Sequence, residues 1–281
     1  MKELRLVLFC MAFFSVGAAF GQNRGVAPES DFNVVLNDAG DGCVITKYTG
    51  TGGAVVIPSE IQGFPVREIG NSAFTYCISL VSVAIPPSVT VIGSSAFMGC
   101  RNLSSVVIPD RVTVIGARAF WGCYRLVSVA IPPSVTQIGN SAFTYCINLA
   151  SVVIPNSVTL IGAWAFANCI NLVSVVIPNS VTLIGNSVFA YCRSLGSVTI
   201  PDGVTQIGER AFANCRSLAS VVIPNSVTQI GGRAFMGCSS LVTVDIASLN
   251  RKWGEYGFSG CSKVSLVSQA ALKKAGYTGG F

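Results

Sequence analysis

The stretch LVSVAIPPSVTVIGSSAFMGCRNL, Leu80 to Leu103, decides the fold. Ser82-Val83-Ala84-Ile85 alternates with a period of two, which predicts a short strand. Val83 and Ile85 are expected to face a core, and Ser82 and Ala84 to face away. Pro86 has no N–H to give to a ladder, so it ends the strand. Ser88 to Gly93 predicts a second extended piece that buries Val89 and Ile92, with Gly93 permitting a sharp bend. Ala96, Phe97, Cys100 and Leu103 follow at offsets of one, three and three, the spacing of an apolar stripe on a short helix. One unit is therefore expected to run strand, bend, extended segment, short helix.

The unit returns every 23 residues. Cys77, Cys100, Cys123, Cys146, Cys169, Cys192, Cys215, Cys238 and Cys261 keep that spacing. So do the glycines from Gly70 to Gly254, the phenylalanines from Phe74 to Phe258 and the prolines from Pro86 to Pro224. A fixed period in the range of roughly 20–50 residues marks a solenoid, a propeller or an array. This period is too short for a four-stranded propeller blade and suits one coil of a solenoid. No unit buries its apolar stripe alone, so neighbours must stack. At a strand separation of ~4.8 Å, the intervals between the cysteines span about 38 Å. The predicted fold is an α/β solenoid with a parallel sheet on its concave side and short helices on the other side.

Composition fits this once the repeat is seen. Of 281 residues, 51% are apolar and only 11% charged, against a usual ~25% charged. That excludes a disordered chain and raises the question of a membrane protein. Met1 to Gly21 reads as a signal peptide: Lys2 and Arg5 precede the apolar run Leu6–Phe20, and Ala19-Phe20-Gly21 suits cleavage before Gln22. Cys10 lies inside that run, which argues against lipidation. Past it, no stretch reaches the ~18 apolar residues of a span. The mature chain is expected to be exported, with no transmembrane span. There is no histidine, which removes Ser-His and Cys-His nucleophiles, histidine zinc sites and histidine pH switches. The net charge of +6 is dispersed, so no nucleic-acid partner is predicted.

The unit Ser-Val-x-Ile-Pro-x-x-Val-Thr-x-Ile-Gly-x-x-Ala-Phe-x-x-Cys-x-x-Leu resembles the BspA-type, or treponemal, leucine-rich repeat over roughly residues 50 to 265. Val55 to Val66 is similar to that family's first repeat and is five residues longer between Ile57 and Gly70 than the Ile85-to-Gly93 spacing. The domain reading is a signal peptide at 1–21, an N-terminal linker and cap at 22–49, the solenoid at 50–265, and a C-terminal cap and tail at 266–281. In the last unit Ala247 replaces the proline, and Val267 to Ala275 is expected to form a capping helix. The resemblance implies an extracellular or surface-exposed binding protein, often an adhesin, with a protein ligand such as a host matrix or cell-surface protein. The alternative is a structural or scaffolding protein of the periplasm or envelope.

The chemistry-bearing residues point away from catalysis. The cysteine column lies on the inward stripe, forms no Cys-x-x-Cys pair, and is expected to pack as a small hydrophobe with free, poorly reactive thiols. Cys43 stands outside it. Carboxylates form no recurring pair and no phosphate loop occurs, so no enzyme, cofactor or metal is predicted. Binding surfaces are the better candidates. The outward strand positions make a serine stripe and an aliphatic one: Ala84, Val107, Ala130, Val153, Val176, Thr199 and Val222. Arg193 and Arg216 follow cysteines, and Arg210 and Arg233 lie two after glycines, which predicts one basic patch for an acidic protein or glycan. Trp121 and Trp164 occupy variable positions suited to an interface. Between Arg125 and Arg193 no residue carries a charge.

Overall fold

A computed structural model describes residues 25–246 and 251–281. The signal-peptide reading of residues 1–21 and the position of Ala247 lie outside the described residues. The chain winds as a solenoid of 23-residue coils, and each coil contributes to three ladders.

The first ladder stacks the Ser-Val-x strands in parallel: Leu80–Ala84, Ser105–Val107, Ser128–Ala130, Ser151–Val153, Ser174–Val176, Ser197–Thr199, Ser220–Ile223 and Thr243–Ile246. Paired residues in this ladder are 23 apart, as Val152 and Val175 are. Pro86 and its counterparts end each strand for want of an N–H. The second ladder stacks the x-Ile pairs, from Val91–Ile92 to Lys252–Trp253. Two parallel ladders thus stand where the sequence suggested one sheet.

The third side differs from the sequence expectation more sharply. Among the described residues the coils contain no α-helix; the segments from Gly70 to Cys77 and their counterparts are turns. Their N–H groups alternate in direction. Ala96, Met98 and Cys100 donate to carbonyls three residues back, while Ser95, Phe97 and Gly99 donate to Ala117, Ala119 and Trp121 of the next coil. Every fourth residue takes a left-handed φ, as Ser95 (57°) and Gly99 (72°) do. A helix cannot hold such residues. The turn spacing of three mimics a helical stripe, so the correct residues are buried by a different backbone.

The column glycines serve close approach. A Cβ on Gly139 would lie 2.5 Å from the backbone N of Ala117 in the coil before. Phe74 to Phe258 are fully buried, and their rings stack with centroids 4.9–5.7 Å apart. Tyr48 begins this column 4.9 Å from Phe74, and Tyr277 closes it edge-on to Phe258.

The ends are built differently. Strands Phe32–Leu36 and Cys43–Tyr48 pair antiparallel, and the second of them pairs in parallel with Phe64–Ile69. The five extra residues before Gly70 form a hairpin of Glu60–Ile61 against Phe64–Pro65. Its two turn residues, Gln62 (φ 55°) and Gly63 (φ 80°), have the paired left-handed conformation of a type I′ turn. At the other end a helix spans Leu266–Lys274. Ser265 caps it by accepting from the Ser268 N–H, and Lys273 and Lys274 sit where the helix dipole is negative. The buried Ser268 hydroxyl accepts from the Val244 N–H, seating the helix on the last described strand of the first ladder.

Candidate functional site

The cysteine column is structural. Cys100 to Cys261 are fully buried, and each thiol donates to the carbonyl of a phenylalanine 26 residues earlier, at 3.0–3.3 Å. The same carbonyls accept the cysteine N–H of their own coil, as Phe97 O does from Cys100. The ten described cysteines are free. Burial pushes the thiols of Cys100 and Cys192 up to about 12, and those of Cys123, Cys146, Cys169 and Cys215 well above the ordinary range. Thiolate is the reactive form, so these sulfurs lack both access and nucleophilicity. Cys77 opens the column and is only half-buried, and Cys43 is buried with its thiol 3.6 Å from the Phe64 carbonyl. Native labelling with a bulky thiol reagent is expected to modify Cys77 first among these and to reach Cys100 to Cys261 only on denaturation. Rapid native labelling of the deeper column would contradict this.

The strand face gathers the aliphatic stripe in three groups. Ala84 pairs with Val107; Ala130, Val153, Val176 and Thr199 lie in continuous register; Val222 pairs with Asp245. Between the groups the inter-coil bonds lengthen to 3.4 Å, at Val127 to Ser104 and at Ala219 to Gly196. Ala84 is half-buried, while Val153 and Val176 are 73% and 65% exposed. Val153 and Val176 lie in the central group, within the uncharged stretch.

The structure adds a column that strict alternation hides. Leu126 is buried, but Val127 and Ser128 both face solvent, and Val81, Val173 and Val242 repeat the position. At Val127 the strand begins only at Ser128, so the residue before it is free to turn outward; Val81 instead lies within the strand Leu80–Ala84, where Ser82, expected to face away, is buried. The recurrence of valine one place before the serine was the available signal. Val127 and Val173 extend the apolar surface beside Val153 and Val176.

The arginines lie on the turn side. Arg193 and Arg216 are exposed on successive coils. Arg210 and Arg233 flank Glu209, at 3.7 Å and 4.0 Å, and Arg233 also lies over the Tyr256 ring at 5.6 Å. Those exposed ion pairs add little stability, but they offset part of the positive charge. Trp121 is half-buried edge-on to Tyr145, and Trp164 is partly exposed. Among the described residues no group of three or more cysteine or acidic side chains is placed to hold a metal ion. No described helix is long and apolar enough to cross a membrane.

Comparison with known proteins agrees with this architecture. The profile of the BspA type Leucine rich repeat region matches in six copies, over residues 67–196 and 182–275. The structure resembles the leucine rich repeat protein of T. pallidum, with a TM-score of 0.61 and 32% identity over 92% of this chain and 99% of that one. It also resembles a leucine-rich repeat protein from Bacteroides ovatus, with a TM-score of 0.63 and 25% identity over 86% of this chain and 70% of that one. No curated protein matches the chain.

Proposed function

Because the chain belongs to the BspA type leucine rich repeat family, we propose that it is an exported, non-catalytic adhesin that binds a protein ligand at the cell surface through its strand face. Leucine-rich repeats are protein-interaction modules, and their stacked coils present one continuous surface. The observation that carries the proposal is the uncharged central group Ala130, Val153, Val176 and Thr199, in register on neighbouring coils. Its two valines stay exposed although the same fold buries the valine immediately before each, Val152 and Val175. An exposed apolar patch of this kind marks a protein contact. Arg193 and Arg216 supply a second surface, suited to an acidic glycan.

The test uses purified extracellular matrix proteins and heparin as immobilised probes. The mature chain is expected to bind at least one matrix protein, and Val153→Lys with Val176→Lys is expected to weaken that binding by roughly tenfold or more at unchanged melting temperature. Unchanged affinity would remove the strand face as the site. Protease treatment of intact cells tests the location: digestion is expected. Protection in intact cells with digestion after lysis would instead support a structural role in the periplasm or envelope.

A further inference from the structure

One junction between coils is built differently from its neighbours. Along the second ladder the column glycine donates to the isoleucine carbonyl of the coil before: Gly139 to Ile115, Gly162 to Ile138, Gly208 to Ile184 and Gly231 to Ile207, at 2.7–2.8 Å. The threonine column does the same, with Thr159 donating to Thr136 and Thr205 to Thr182. Among the described residues both bonds are absent at one junction only, where Gly185 and Thr182 would donate to Ile161 and Thr159. The ladder accordingly ends at Leu160–Ile161 and restarts at Leu183–Ile184.

A substitution in the repeat coincides with the gap. The position before the column phenylalanine is alanine at Ala96, Ala119, Ala142, Ala165, Ala211 and Ala234, and valine at Val188. Val188 is buried. A Cβ on Gly185 would meet Ile161 O at 3.4 Å and Val188 Cγ2 at 3.5 Å, whereas one on Gly208 would meet the Gly185 backbone at 2.7 Å. The rings on both sides of Phe189 are spaced more widely, 5.7 Å to Phe166 and 5.6 Å to Phe212, against 5.3 Å for Phe143–Phe166, and only on the Phe166 side are the ladder bonds missing. Two extra methyl groups in a close-packed column force the coils apart. A groove of about 540 Å³ runs over this junction and the coils on either side of it, from Asn140 to Gly231, with the exposed Leu160 and Leu183 and the amides of Asn186 and Gln206 on its walls. The other two ladders are intact here: Val153 pairs with Val176, and Phe166 donates to Val188 O at 2.9 Å.

We propose that this junction is an articulation built into the solenoid, set by Val188, at which the two stacks of coils open and close across the groove. The strand-face ladder of Val152–Val153 and Val175–Val176 stays joined and acts as the axis. Free backbone groups on both sides of the junction let the ladder close transiently and reopen, whereas the other junctions among the described residues are held on that side by paired bonds.

Residue-resolved amide hydrogen exchange tests this on the mature chain. Thr182 and Gly185 are expected to exchange about tenfold or more faster than Thr159, Gly162, Thr205 and Gly208, because they lack a ladder bond. Val188→Ala is expected to slow both to the rate of their counterparts. The converse variant, Ala211→Val, is expected to speed exchange at Thr205 and Gly208, and it serves as the test if Val188→Ala does not fold. Equal protection of Thr182 and Gly185 in the native chain would overturn the proposal. So would fast exchange that a folded Val188→Ala variant leaves unchanged.

Discussion

Raising the pH to about one unit above the ordinary thiol value of ~8.5 is expected to unfold the protein cooperatively. Six thiols, those of Cys100, Cys123, Cys146, Cys169, Cys192 and Cys215, have their pKa raised by burial. A thiol with a raised pKa keeps its proton in the folded chain after the unfolded chain has lost it. The stability that this supplies is fully present below the unfolded value and is lost as the pH climbs towards the folded one. Each thiol then costs about 1.4 kcal/mol per pH unit, so six together cost about 8 kcal/mol per unit. That is comparable to the whole stability of a typical domain, about 5–15 kcal/mol. Circular dichroism under reducing conditions is expected to show a steep transition between about pH 9.5 and 10.5. Replacing Cys146 and Cys169 with alanine should make the pH dependence shallower by about two protons. A chain that stays folded through pH 11 would contradict the single-file burial of the column.

Phe166→Ala is expected to have the next largest effect. Phe166 is fully buried, with ring neighbours at 5.3 Å and 5.7 Å. Truncating such a ring costs about 3–5 kcal/mol through lost transfer energy and the cavity left behind. The stacked geometry contributes about 0.5–1.5 kcal/mol per pair within that loss. A coil contacts only its neighbours, so a defect in the middle weakens the coupling of both halves. Urea denaturation is expected to show the full loss for Phe166→Ala and under about 1 kcal/mol for Phe281→Ala, whose half-buried ring lies at the end of the stack, 6.4 Å from Phe258. A loss below about 1.5 kcal/mol at Phe166 would mean that the column does not hold the coils together.

The periodicity of cysteine, glycine, phenylalanine and proline made the solenoid legible, because each column repeats one packing contact per coil. It also identified the correct buried residues on all three sides. It misjudged the backbone of the turn side, since inward residues recur at three whether the chain is helical or a row of turns. What separates the two is a left-handed φ at two positions of each turn: the first, at Ser95, Arg118, Ser141 and Trp164, has no common residue type, but the second, at Gly99, Gly122, Asn168, Asn214, Gly237 and Gly260, recurs as glycine or asparagine and was the available signal. Single substitutions were harder to weigh. Val188 for alanine is one letter in a long repeat, yet it coincides with the missing bonds of the second ladder. The outward turn of Val127 was hidden by reading alternation into a segment that is not yet strand.

The stripe of Val153 and Val176 was readable as outward-facing, because alternation holds within the three-residue strands from Ser128–Ala130 to Ser197–Thr199. Its division into three groups was not, since that depends on small differences in spacing between coils. The contact of Glu209 with Arg233 joins neighbouring coils and was likewise outside any single unit, whereas its contact with the adjacent Arg210 lies within one.

The central claim, that the strand face is the binding surface of a non-catalytic module, is tested most directly by comparing two variants for affinity against the same matrix protein at matched thermal stability. One carries Val153→Lys with Val176→Lys on the strand face, and the other Arg193→Glu with Arg216→Glu on the turn side. Loss of binding confined to the strand-face pair is the predicted result. Retained binding in that pair, with loss in the arginine pair, would contradict it.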